Sequence, residues 1–183
     1  NARATFLPKL KKYNDKLILS VNISAIHLTK NSFVSDVESA LIETGYPAEN
    51  LEIEITESVF ISSLESTAKT LDEIKAMGIK IALDDFGTGY GNLERMITSH
   101  FSFIKFDKTM TQQLSGSAQL RTVYATLSAM ITTMNSEVVS EGVETQEQFD
   151  FVCSAGSRYI QGYYFSKPLP SSEFAAFLTD CTT

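Results

Sequence analysis

Ile79-Lys80-Ile81-Ala82-Leu83-Asp84-Asp85-Phe86-Gly87-Thr88-Gly89-Tyr90-Gly91 joins an apolar run to two acids and then to a glycine-rich loop. Ile79–Asp84 has the composition of a buried strand. Before it, Leu64, Ala68, Leu71, Ile74 and Met77 fall on one helical face, which closes at Gly78. This unit of helix, turn, strand and acid recurs. Further strands are predicted at Leu17–Asn22, Leu51–Thr56, Phe103–Asp107, Glu137–Ser140 and Tyr159–Phe165. Helical spacing lies between them: Phe33, Val37, Ala40, Leu41 and Ile42 form one face, Leu120 to Met134 a second, and Phe149 to Ala155 a third. Ser171–Leu178 closes the chain after Pro168 and Pro170. Six strands alternating with helices mark the α/β class and a parallel sheet built by crossovers. Two architectures fit, an open doubly wound sheet and a (β/α) barrel. A full barrel takes about 250 residues and eight units, so a barrel here would lack its first units.

The chain has 183 residues, 43% apolar and 20% charged, which suits one soluble globular domain over residues 1–183. It has no apolar run of about 18 residues and no signal-like opening, so a cytoplasmic location is expected, whether or not other regions anchor a longer protein to a membrane. Acids outnumber bases 22 to 15, for a net charge of −7. DNA or RNA binding is not expected, because a phosphate track needs clustered Lys and Arg. Cys153 and Cys181 form no CxxC pair and read as free thiols.

The polar residues carry the functional signal. Each predicted strand ends in them: Asn22; Glu54 and Glu57; Asp84 and Asp85; Lys105 and Asp107; Glu141 and Glu144; Gln161. Ligands bind at the C-terminal ends of parallel strands. One acid there is usually turn chemistry; six successive strand ends alike indicate a site. Carboxylates cannot converge in a cleft without a cation. No His or Cys stands at a strand end: His27 lies five residues beyond Asn22, and His100 falls in a loop. Oxygen donors favour Mg²⁺, Mn²⁺ or Ca²⁺ over zinc. There are acids enough for two ions, an arrangement suited to in-line attack on a phosphodiester. Lys105 would relieve repulsion and orient a water or a phosphate oxygen. The loop after Asp85 is neither a Walker A sequence nor GxGxxG, and its site-facing position is what marks it.

Six segments in this order, SVNIS (Ser20–Ser24), EITES (Glu54–Ser58), DDFGTGYG (Asp84–Gly91), FIKFD (Phe103–Asp107), SEGVET (Ser140–Thr145) and YIQGYYFSKPLP (Tyr159–Pro170), resemble the EAL-domain family of bacterial cyclic di-GMP phosphodiesterases. The resemblance implies a TIM-like (β/α) barrel, its N-terminal units missing from this chain. It implies hydrolysis of cyclic di-GMP to linear pGpG with two Mg²⁺ or Mn²⁺ ions, Ca²⁺ permitting binding but inhibiting turnover. By position, Asn22, Glu54, Asp84 and Glu141 match metal ligands, Asp84 as the bridge, and Asp85 matches a ligand of the second ion. Lys105 matches the lysine that holds the attacking water, beside Asp84 and Glu141 as catalytic residues. Gln161 matches a glutamine of the water and metal shell. Glu57 resembles the residue that pins the DDFGTGYG loop, at its backbone or at Thr88. Glu144 and Asp107 match supporting acids. A homodimer through Gly91–Ile97 and Asp107–Leu114 is implied, with Met96, Met110 and Phe106 as contact candidates or ordinary core. Upstream sensor or GGDEF domains and a place in bacterial biofilm signalling are also implied.

The chain departs from the pattern in places. The Glu-Ala-Leu strand, its metal-binding glutamate and the nearby substrate arginine are not among its residues, so the 183-residue piece alone is expected to be inactive. Ile26 and His27 stand where the family often has Arg-Gln, and Gly91 where it often has serine. Two other readings are a cyclic di-GMP receptor without turnover and a protein-interaction module. The presence of Glu54, Asp84, Asp85, Lys105 and Glu141 argues against the module. A metal-dependent barrel of the enolase kind would lack this motif order.

Overall fold

Six strands hydrogen-bond in the order in which they occur in the chain, β1-β2-β3-β4-β5-β6, and every pair is parallel. A doubly wound sheet reverses its strand order partway across. This sheet does not, so the architecture is an open run of barrel-type βα units. The computed structural model describes residues 17–62, 64–87, 96, 99 and 101–180.

The strands are β1 (Leu19–Asn22), β2 (Leu51–Thr56), β3 (Lys80–Phe86), β4 (Phe103–Phe106), β5 (Glu137–Ser140) and β6 (Tyr159–Ile160). The α-helices among the described residues are α1 (Ala25–Leu28), α2 (Phe33–Thr44), α3 (Glu57–Ser62), α4 (Leu64–Ala76), α5 (Lys108–Gln112), α6 (Ala118–Thr133), α7 (Gln146–Ser154) and α8 (Ser171–Asp180). β2 and β5 have the predicted bounds. β4 stops one residue early because Asp107 caps α5, its carboxylate accepting from the Thr109 N–H at 2.9 Å. α7 opens on a capping box between Thr145 and Gln148.

The convex side of the sheet is the core. Ile53, Ile55, Ile81, Leu83, Ile104, Phe106 and Val138 are buried there with Leu71 and Ile74 of α4, Tyr124 and Ile131 of α6 and Val152 of α7. β2 alternates isoleucine with glutamate, Ile53 and Ile55 lying under the helices and Glu52 and Glu54 on the opposite face. Met96 and Phe106 belong to this core and Met110 packs against it, whereas residues 91–95 and 97 lie outside the described residues. Three residues predicted to face the core do not: Ile42 is 75% exposed, and Ala40 and Ala68 are exposed. No helix among the described residues is long and apolar enough to cross a membrane.

The last strand differs most from its predicted span of Tyr159–Phe165. After Ile160 the chain turns back onto the segment that follows β5. Val143 N–H donates to the Gln161 carbonyl at 3.2 Å, and Tyr164 N–H donates to the Val143 carbonyl at 3.0 Å. Tyr164 then stacks on Phe149, ring centroids 5.0 Å apart. The aromatic residues that suggest a strand are a turn clamped to α7. Gly162 makes this possible, because a Cβ there would collide with the Val143 backbone, its carbonyl oxygen first. Gly162→Ala is expected to destabilise the fold by more than about 2 kcal/mol through backbone displacement. Gly116 is the control, since a Cβ at that position would meet nothing within 4 Å. Gly116→Ala should change stability by less than about 1 kcal/mol, both measured by urea denaturation.

Candidate active site

The register decides which residues share the concave face. Ser20 lies beside Glu52, Asn22 beside Glu54, Glu54 beside Ala82, and Thr56 beside Asp84. The Ser20 hydroxyl donates to Glu52 at 2.7 Å, which fixes Ser20, Asn22, Glu52 and Glu54 on one side. Across the sheet, the Lys105 ammonium reaches the same face.

That ammonium is the centre of the site. It lies 2.8 Å from Glu54 Oε1, 2.6 Å from Glu141 Oε1 and 3.3 Å from Asp84 Oδ1. Four strand ends thus meet at one nitrogen. Lys105 and Glu54 are both buried. Burial works against the ammonium, but hydrogen bonds to Glu141 and Glu54 outweigh it, and the pKa of Lys105 stands above its ordinary value. Lys105 is therefore a fixed positive donor at neutral pH and not a base. Burial raises the pKa of Glu141, partly offset by Lys105 and added to by Asp84 and Glu54.

Asp84 and Asp85 sit at an irregularity in β3. The pairing with β4 shifts register between Leu83 and Phe86. Asp85 adopts a left-handed backbone, φ 57°, which few residues other than Gly, Asn and Asp accept. The irregularity falls where the two consecutive acids stand, and it brings Asp84 Oδ1 to the face of the Lys105 ammonium. Burial and the nearby Asp84 and Asp107 raise the pKa of Asp85. Glu57 opens α3, is buried, and takes the Gly87 N–H at 3.2 Å through Oε2. Its Oε1 has no hydrogen-bond partner among the described residues. Thr88 lies outside them.

The other predicted residues sit further out. Asn22 ends β1 and is exposed. Gln161 directly follows β6 and is exposed, its backbone N–H donating to the Ser140 carbonyl at 2.8 Å. Asp107 is buried and commits an oxygen to capping α5. Glu144 is exposed and takes a long 3.5 Å contact from Gln112.

Two features escaped the sequence reading. Glu52 is a second buried acid on the concave face, one layer below Glu54, and burial raises its pKa against the hydrogen bond from Ser20. The two-residue spacing Glu52–Glu54 held that signal. Behind Glu141, the hydroxyls of Tyr124, Ser140 and Ser157 close a buried triangle, Ser140 to Ser157 at 2.6 Å and Tyr124 to Ser157 at 3.1 Å. Nothing in the spacing of these three in the chain announces it.

The donor set suits a divalent cation. Glu54, Asp84 and Glu141 bring three negative charges to the single charge of Lys105, and Asp85 adds a fourth at the same strand end. All the donors are oxygens, the choice of hard ions. Among the described residues, no three His, Cys, Asp or Glu side chains form a closed metal-binding group. The three carboxylates stand around the ammonium instead.

A parallel βα sheet that gathers acids and a lysine at its strand ends has the architecture of a barrel-type site. The chain belongs to the EAL domain family, whose model matches residues 3–168. It is 32% identical over 165 residues to the cyclic di-GMP phosphodiesterase NbdA of Pseudomonas aeruginosa, covering 90% of this chain and 21% of that protein. The crystal structure of the EAL domain of Mycobacterium smegmatis DcpA superposes with a TM-score of 0.91 at 29% identity, over 98% of this chain and 80% of that one. Klebsiella pneumoniae BlrP1, in a manganese and cyclic di-GMP complex, gives 0.83 at 29% identity, over 93% and 42%. The chain spans about a fifth of the length of the first curated relatives it matches.

The raised carboxylates set a pH dependence. Glu52, Asp85 and Glu141 bind protons more tightly folded than unfolded. Their burial penalty is full above the folded pKa values and is relieved as pH falls through them toward the unfolded values. The metal-free protein should therefore gain thermal stability on mild acidification from neutral pH. Millimolar Mg²⁺ should flatten that gain by supplying the charge that protons otherwise supply. Calorimetric melting across pH, with EDTA and with Mg²⁺, measures both; a melting temperature that falls steadily with acid in EDTA would contradict the assignment.

Proposed function

We propose that this chain carries the cyclic di-GMP phosphodiesterase activity of its protein, cleaving one phosphodiester to give linear pGpG. The convergence of Glu54, Asp84 and Glu141 on Lys105, within the EAL family, carries the reading. Asn22, Glu54, Asp84 and Glu141 would hold one Mg²⁺ or Mn²⁺, and Asp84 with Asp85 a second. When bound, such ions polarise the phosphodiester and lower the pKa of water.

The chain's own residues do the rest. Lys105 keeps its proton, and an N–H released by Glu54, Asp84 or Glu141 as they take up an ion would face a water lone pair or a phosphoryl oxygen, so it would orient the nucleophile without deprotonating it. Glu54 and Glu141 hold that ammonium in place and share their charge with it. Glu57 fixes the start of the glycine loop at Gly87, which keeps Asp84 and Asp85 aimed at the strand end. Gln161 and Glu144 stand at the rim, and Asp107 holds the α5 end against β4. Ca²⁺ would support binding and slow turnover. The reading extends to a dimer through residues 91–97 and 107–114, to additional sensor or GGDEF domains, and to a cytoplasmic setting.

The test is turnover of cyclic di-GMP by the intact protein with Mg²⁺, Mn²⁺ or Ca²⁺, followed by separation of pGpG. Asp84→Asn should lower kcat by roughly a thousandfold or more, because it takes charge from both ions at once. Asp85→Asn keeps a residue that tolerates the left-handed backbone and should lose less. Full Mg²⁺-dependent activity in Asp84→Asn would overturn the ligand assignment. Cyclic di-GMP binding without turnover in the wild type would mark a receptor.

A further inference from the structure

We propose that Tyr124 is a positioning residue of the site: its hydroxyl, through Ser140, fixes the backbone from which Glu141 reaches Lys105 and a divalent ion. The inference rests on the phosphodiesterase reading above and deepens it.

Glu141 stands where the sheet ends. Its N–H donates to the Phe106 carbonyl at 3.2 Å, and the next residue, Gly142, has a left-handed backbone, φ 68°. On the far side, β6 is only two residues long and meets β5 at Val139 and Ser140. The ladder therefore gives Glu141 little hold beyond Ser140. Further hold comes from behind. Val138 and Ser140 are buried toward the helices, whereas Glu141 reaches Lys105 on the opposite, concave face. On the helix side, the Tyr124 hydroxyl of α6 bonds to Ser140 and, at 3.1 Å, to Ser157, and Ser140 donates to Ser157 at 2.6 Å. The Tyr124 ring also stands edge-on to Phe106, centroids 4.6 Å apart, and Phe106 directly follows Lys105 in β4. One phenol thus backs both strands whose ends make the 2.6 Å contact between Lys105 and Glu141.

The chemistry of the triangle favours geometry over stability. Tyr124, Ser140 and Ser157 are all buried. Their hydroxyls can pass hydrogens round in one sense, Ser140 to Ser157, Ser157 to Tyr124 and Tyr124 to Ser140, so each gives one and takes one. Such a ring adds little net stability, because apolar groups of the same shape would replace it at small cost. What apolar groups do not supply is direction: the hydrogen bonds set the distance and angle between α6 and the end of β5. A carboxylate displaced at that end is misplaced against Lys105 and against a divalent ion, whose ligand distances are narrow.

The Mn²⁺ affinity of the intact protein, read by electron paramagnetic resonance, separates positioning from stability. Tyr124→Phe should weaken Mn²⁺ binding about fivefold, the scale of one neutral hydrogen bond, and lower kcat for cyclic di-GMP with KM unchanged. Ser157→Ala is the control. It should cost comparable stability in urea and leave the Mn²⁺ affinity unchanged, because the bond between Tyr124 and Ser140 survives. The triple variant Tyr124→Phe, Ser140→Ala, Ser157→Ala should regain stability and keep the weakened affinity. An unchanged affinity in Tyr124→Phe would overturn the proposal, as would affinities that follow stability across the set. The expected affinity pattern in a protein that leaves cyclic di-GMP uncut would instead support the positioning role and overturn the phosphodiesterase reading.

Discussion

The ammonium of Lys105 is the constraint on which the site depends. It draws carboxylates from β2, from the end of β3 and from the residue after β5 to one point. Each of those groups would repel the others in a buried cleft, and burial already raises the pKa of Glu141. A single fixed cation converts mutual repulsion into a shared geometry, and the excess negative charge is the part a divalent ion can satisfy. Removing one partner of such a buried cluster costs far more than its net contribution, because the remaining charge is left in a medium that solvates it poorly.

The polar interior is offset on the other side of the sheet. Ile53, Ile55, Ile81, Leu83, Ile104, Phe106 and Val138 make the central strands apolar on their convex face. The same strands therefore carry two incompatible chemistries, separated by the two-residue period. A one-residue slip of β2 would exchange Glu54 with a core isoleucine, so the register is specified strongly from both faces.

Much of this was legible beforehand. Parallel βα units, their order and the polar residues at 22, 54, 84, 105, 141 and 161 follow from periodicity, because strand ends are where alternation breaks. What was hidden is hidden for physical reasons. Tyr163–Phe165 has strand composition, yet the approach of Gly162 to Val143 is a long-range contact that no local pattern encodes. The register shift beside Asp85 leaves no mark in composition. Glu52 escapes a reading based on strand ends because it lies inside β2, where its two-residue spacing from Glu54 is the one sign that the two share a face. Ser140 and Ser157 meet Tyr124 only after the strands are ordered.

The left-handed backbone at Asp85 narrows what inheritance can do there. Among residues that sit comfortably at that φ, only Asp brings a full negative charge. Glu keeps the charge but loses the short side chain that offsets the strain. Asn and Gly keep the backbone and discard the charge. Neutral drift at this position therefore has no charge-preserving path: a descendant either retains Asp or passes directly to a well-folded protein with a weakened site. A lineage built on this fold sheds chemistry more easily than it sheds shape.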